Sequence, residues 1–181
     1  MRKITFTLLV SILLVIAAPY AGHSQSFSDA EIKAAYLFKL AKFITWNGER
    51  KAPIKFCYIE SLRTEDDASV GQSFKRLVKA RDAQDQWSVS RIRGLNGINS
   101  CDVLFIADSE DSSLSSILLQ VGDSNILTAS DIRRFIFKGG MLGFETDDQG
   151  RIKMEGNLSV MKTANVMLSA VVLELMKQVI K

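Results

Sequence analysis

Histidine is almost missing from this chain: one in 181 residues, His23. It lies in an N-terminal segment that reads as removable, so the folded part has no imidazole. Ser-His-Asp and Cys-His nucleophilic systems are thereby excluded, as are zinc sites built on histidine. Cysteine is nearly as scarce, with Cys57 and Cys101 alone, and without metal-ligand spacing. Two prolines and 11 glycines exclude collagen-like and Pro-rich classes. No Walker loop, G-x-G-x-x-G fingerprint or G-x-S-x-G elbow occurs. A one-signed charge is missing too. Without Arg2 and Lys3 the 23 Lys and Arg become 21, against 20 Asp and Glu, a net charge of +1. No large field follows, and nucleic acid is not expected as a partner. No cofactor or metal is expected.

Long apolar runs are absent beyond the N-terminus. There, Arg2 and Lys3 precede an apolar stretch from Ile4 to Ala18. At about 15 residues it is shorter than the roughly 20 needed to span a bilayer. Small residues follow at Ala21, Gly22, Ser24 and Ser26. The pattern is that of a secretory signal peptide over 1–24, cleaved near 21–26. No cysteine follows for lipid attachment. The expected product is an exported, periplasmic protein, with 27–181 as a single domain.

Export changes the reading of the cysteines. An oxidising compartment permits a bond between Cys57 and Cys101. Two separate buried thiols are the alternative, and the bond is the favoured reading. Two acidic clusters remain, Glu65-Asp66-Asp67 and Asp108 with Glu110-Asp111. Both precede helical patterns, so they read as N-terminal capping and dipole compensation rather than paired catalytic carboxylates.

The rest alternates in period. Ser28 and Glu31 have capping-box form, and Ile32, Tyr36, Leu40, Phe43 and Ile44 then repeat at helical spacing up to Trp46-Asn47-Gly48. Ala34, Phe38 and Ala41 form a second apolar strip, flanked by Lys39 and Lys42. Ile54–Ile59 reads as a strand. Val70, Phe74, Leu77 and Val78 mark a helix, and Trp87–Ser90 a strand. The continuous apolar run Val103–Ala107 suits a strand covered on both faces. Leu114, Ile117, Leu118 and Val121 give a helix, Asn125–Thr128 a strand, and Asp131–Phe137 a brief helix stopped by Gly139-Gly140. Met141–Thr146 and Arg151–Glu155 form a hairpin. One long helix from Asn157 or Ser159 to about Val179 closes the chain. The order α-β-α-β-β-α-β-α-β-β-α predicts an α/β three-layer sandwich. Its central sheet is mainly parallel, with a C-terminal antiparallel hairpin and helices on both faces.

Five segments resemble the YfiR-like periplasmic proteins. Ala34 to Trp46 (AAYLFKLAKFITW) is similar to that family's opening helix. Cys101 to Ile106 with Ser109-Glu110 resembles its central strand and turn. Ile126-Leu127-Thr128 with Asp131, Gly139 to Phe144, and Asn157-Leu158 follow in matching order. The resemblance spans about Ile32 to Leu175 and is weakest from Glu60 to Gly97. It implies a periplasmic, non-enzymatic, homodimeric α/β protein. Such a protein represses a membrane-bound diguanylate cyclase through the cyclase's periplasmic portion, and an outer-membrane-associated protein can sequester it. Some members serve sensor histidine kinases instead. The resemblance also implies the Cys57–Cys101 bond; a second family disulfide has no counterpart here.

A regulator of this kind works by binding two conformations of its target unequally. Phe38, Lys42 and Trp46, with Met141 and Phe144, are the expected partner-binding residues. The alternative function is a periplasmic small-molecule-binding subunit reporting to a sensor kinase. A carboxylate hydrolase acting through Asp108 or Glu110 ranks below both.

Overall fold

A computed structural model of the chain describes residues 27–46, 48, 52–61 and 69–181. The expected signal peptide and the cluster Glu65-Asp66-Asp67 lie outside the described residues, as does Asn47.

The elements run in chain order as α1 (Asp29–Leu40), β1 (Ile44–Trp46), β2 (Ile54–Ile59), α2 (Val70–Ala80), β3 (Trp87–Arg91), β4 (Val103–Ile106), α3 (Leu114–Val121), β5 (Leu127–Ser130), β6 (Leu142–Thr146), β7 (Ile152–Asn157), α4 (Leu158–Thr163), β8 (Val166–Leu168), α5 (Ala170–Glu174) and β9 (Gln178–Ile180). Short 3-10 turns precede β1, β4, α3 and β6. Seven strands form the main sheet in the order β3-β2-β4-β5-β6-β7-β9, and β1 pairs with β8 in a separate ribbon. Every pair in the main sheet is parallel except β6 with β7.

Side-chain alternation explains the layering. On β2, Phe56 and Tyr58 enter one core while Cys57 and Ile59 enter the other. On β4, Val103 and Phe105 pair with the first core, Leu104 and Ile106 with the second. The sheet is therefore buried on both faces, which is why these strands read as unbroken apolar runs. Residues of α1, α2, α4 and α5 pack on the first face, and α3 with the turn around Ile98 packs on the second. This is the expected mixed α/β arrangement with a mostly parallel sheet.

Three expectations are corrected. The opening helix stops at Leu40, and Ile44–Trp46 is a strand, pairing antiparallel as Ile44↔Leu168, Thr45↔Met167 and Trp46↔Val166. The long closing helix is instead α4, β8, α5 and β9. Asn165 takes a left-handed turn at φ 55°, and Val166 then continues as strand. β-Branched residues hold helices weakly, so pairing with β1 prevails over the helical spacing of Val160, Ala164, Met167 and Leu168. Because β9 returns parallel to β7, the β6–β7 hairpin is not the sheet edge. Finally, Asp131–Phe137 is not an α-helix. Asp131 accepts bonds from Lys33 and from the Asp108 amide instead.

The double glycine does what a tight turn requires. Gly139 has φ 95°. A Cβ on Gly140 would sit 2.1 Å from the buried Phe135 ring, so only hydrogen fits there.

Candidate interaction surface

The cysteines are joined: Cys57 Sγ and Cys101 Sγ form a disulfide with Cα atoms 5.8 Å apart. The bond ties β2 to the approach of β4. Beside it Lys55 N–H donates to Asp102 Oδ2 at 2.8 Å, and Asp102 N–H donates to Lys55 O at 2.9 Å.

The acidic residues Asp108, Glu110 and Asp111 hold loops together. Ser61 Oγ donates to Glu110 Oε1 at 2.7 Å, and Lys138 pairs with Asp111. Lys33 Nζ reaches Asp131 Oδ2 at 2.8 Å, and Asp131 Oδ1 accepts the Asp108 amide at 2.9 Å. Asp131 thus links α1 to the ends of β4 and β5. Among the described residues no group of three His, Cys, Asp or Glu could hold a metal ion.

The expected partner-binding residues divide sharply. Met141 is 1% exposed and Phe144 2%, so neither side chain can meet a partner in this conformation. Both face the first core, Met141 just ahead of β6 and Phe144 within it; Tyr36 of α1 stacks on Phe144 at 6.3 Å. Trp46 is buried as well, on the inner side of the β1–β8 ribbon. These three are corrections. Phe38 is half-buried and Lys42 exposed, and the fold brings them together.

They line a groove of ≈ 350 Å³ between α1 and α2, with Ala35, Lys39, Phe43, Leu77 and Arg81. Its floor rests on a packed set of rings. Phe38 stacks on Trp87 (5.8 Å, 29°) and tilts against Phe74 (6.0 Å, 57°). Phe74 lies flat on Phe56 at 3.8 Å and meets Trp87 edge-on at 4.9 Å. Phe38 is the outer member of this cluster, with one side in the core and the other on the groove.

The start of α1 is pinned by the expected capping box. Glu31 N–H donates to Ser28 Oγ at 3.3 Å, and Ser28 N–H donates to Glu31 Oε2 at 2.9 Å. The bond from the Ser28 amide, then that from its hydroxyl, holds the Glu31 carboxyl below its usual pKa.

Sequence reasoning overlooked Leu77 and Arg81. Leu77 recurs with Val70, Phe74 and Val78 and reads simply as core. Only the packing of α1 on α2 shows that it borders the groove. It also missed an exposed apolar set in the closing segment: Met167 at 60%, Val171 at 60% and Leu175 at 68% exposure. The closing helix expected from the sequence would turn these three inward. In the fold, Met167 lies opposite Thr45 on the outer side of the ribbon. Phe43, at the groove edge, accepts the Ser169 amide through its carbonyl at 2.9 Å, so groove and ribbon adjoin.

Residues 30–177 match the YfiR/HmsC-like family. The chain belongs to that family. Among the described residues no helix is long and apolar enough to cross a membrane. No curated protein matches. Solved structures that share the fold include two of low sequence identity. One is a conserved domain protein from Vibrio cholerae O1 biovar El Tor (TM-score 0.58, 9% identity), covering 85% of this chain and 61% of that one. The other is the ABC domain in complex with L-Trp from Streptococcus pneumonia (TM-score 0.56, 12% identity), covering 83% and 60%. The chain spans less than two thirds of either.

Proposed function

We propose that the protein is an exported inhibitory subunit of membrane signalling. Its target is the periplasmic portion of a membrane-bound diguanylate cyclase, so it lowers cyclic-di-GMP output. The observation that carries this is the family match across 30–177. The N-terminal segment 1–24 acts as a signal peptide cleaved near 21–26, and 27–181 folds as one domain that works in the periplasm as a homodimer. An outer-membrane-associated protein sequesters it and relieves repression. The groove formed by Phe38 and Lys42 with their neighbours is the surface offered to the target. Phe74 and Trp87 support it from within.

The test uses membranes containing the cyclase. Adding the exported protein should lower cyclic-di-GMP synthesis in a saturable way. Unchanged synthesis at saturating protein would reject the cyclase as target.

One observation favours a second reading, a small-molecule-binding subunit reporting to a sensor histidine kinase. At ≈ 350 Å³ the groove lies at the lower end of ligand-pocket volumes. A metabolite that raises the melting temperature while leaving cyclase output untouched would favour it.

A further inference from the structure

The groove between α1 and α2 has a chemical character that names the kind of partner it takes; the inference rests on the binding role proposed above. Its floor is apolar, made of Ala35, Phe38 and Leu77 with Phe43 at the edge, and its rim is cationic, made of Lys39, Lys42 and Arg81. No acidic side chain lines it. Among the described residues none of the three rim cations forms an ion pair. The adjoining face of α2 has the same sign, while Glu31 lies close enough to Arg76 to interact with it and exposed Asp82 and Asp85 follow Arg81. Lys75, Arg76 and Lys79 are exposed on α2, which carries no acidic residue over Val70–Ala80.

A helix dipole explains only part of this. Lys39 and Lys79 sit in the last turns of their helices, where cations offset the negative end. Arg81 is the C-cap of α2 and Lys42 lies in the 3-10 turn that continues α1, so the dipole favours them as well, but it gives no reason for an apolar recess between them. Gathering like charges around an apolar floor costs repulsion that an opposite charge would relieve. The chain's net charge of +3 is too small to impose such a patch by composition alone.

We propose that this groove docks an acidic amphipathic helix of a partner protein. One large apolar side chain of that helix fills the recess over Phe38. Carboxylates one turn to either side meet Lys39, Lys42 and Arg81. This is helix-in-groove recognition, with anchors at helical spacing. A protein segment is favoured over an anionic membrane because the recess is concave. A flat headgroup layer would neutralise the rim but leave the apolar floor wet. The rim charges set the encounter rate and its salt dependence, while the buried anchor sets the lifetime of the complex.

The experiment uses the exported protein and three fluorescent probes. One is a short helical peptide with Phe and Leu along one face and Glu on both flanks. The second is the same peptide with Lys for Glu. The third is vesicles of phosphatidylethanolamine with phosphatidylglycerol. The acidic peptide should bind, weaken steeply with added salt, and outcompete the basic one. The double variant K42E/R81E changes two exposed side chains and should melt as the wild type does. It should bind the acidic peptide at least about tenfold more weakly and favour the basic one. Ala35→Trp, which fills the recess, should block both peptides. Equal binding of the two peptides, an unchanged K42E/R81E, or binding to vesicles alone would overturn the inference. A protein that binds the acidic peptide as described but leaves cyclase output unaltered would reject the proposed target, not the groove chemistry. A protein that represses the cyclase equally well with K42E/R81E would do the reverse.

Discussion

Glu155 is a carboxylate placed where a charge is unwelcome. It sits on β7, 3% exposed, between Gly143 of β6 and Gln178 of β9. Burial pushes its pKa above 4.5, and neighbouring Glu145 pushes further; Lys177 Nζ, 3.9 Å away, opposes both. The folded state therefore keeps a proton at pH values where the unfolded state has lost it. Stability falls as pH rises through that window above 4.5. Glu155→Gln should raise the melting temperature at neutral pH and flatten this part of the pH profile, while Lys177 keeps Glu145 at 3.2 Å. Asp147 acts with the opposite sign. The Arg151 amide, then its side chain, lowers its pKa from 3.8 to about 2. The stability it contributes is present above 3.8 and lost as pH falls through about 2, so Asp147→Asn should shallow the acid limb of a urea-midpoint profile. Gly140→Ala tests steric need. The added Cβ meets the Phe135 ring at 2.1 Å, and Phe135 is buried. Overpacking should cost about 1–3 kcal/mol in chemical denaturation.

At the level of elements, caps decide where helices begin and pairing decides where they end. The Ser28–Glu31 box is local, closed within one turn. Asn157 carries more. Its Oδ1 accepts the Val160 amide at 3.1 Å to start α4, and its Nδ2 donates to the Ile136 carbonyl at 2.9 Å. Asn157→Ala removes the cap and strands a buried acceptor, a loss of about 2–3 kcal/mol in a denaturant titration. The capping box was readable from Ser28 and Glu31 because it involves only nearby residues. The break after Thr163 was not. Val160, Ala164, Met167, Leu168, Val171 and Leu175 satisfy a helical period, and what overrides it is a strand more than 100 residues earlier in the chain, Ile44–Trp46.

For the molecule as a whole, the disulfide and the groove lie on opposite faces of the sheet. Cys57 and Cys101 belong to the core covered by α3, while Phe38 packs on the core covered by α1 and α2. The bond closes a sequence separation of 44 residues, and loop-closure entropy assigns such a loop about 4 kcal/mol. Cys57→Ser or Cys101→Ser should therefore lower stability by a few kcal/mol, measured by urea titration. Whatever variant molecules remain folded should still bind the acidic peptide, since no groove residue touches the bond.

Much of this protein was legible one residue at a time. The scarcity of histidine, the strand runs covered on both faces, the cysteine pair and the family motifs all rest on local composition or spacing, which survive in a linear reading. The apolar strip of Ala34, Phe38 and Ala41 with its flanking cations was readable too, and the fold sets Phe38 and Lys42 in one groove. Trp46, Met141 and Phe144 were misplaced because an apolar side chain reads the same whether it faces a partner or a core. Burial depends on which layer comes to lie above it. The same holds for Leu77 and Arg81, distant from α1 in sequence. Packing of α2 beside α1 turned two separate helix faces into one basic-rimmed groove, and that juxtaposition exists only once long-range pairing has set where each helix lies.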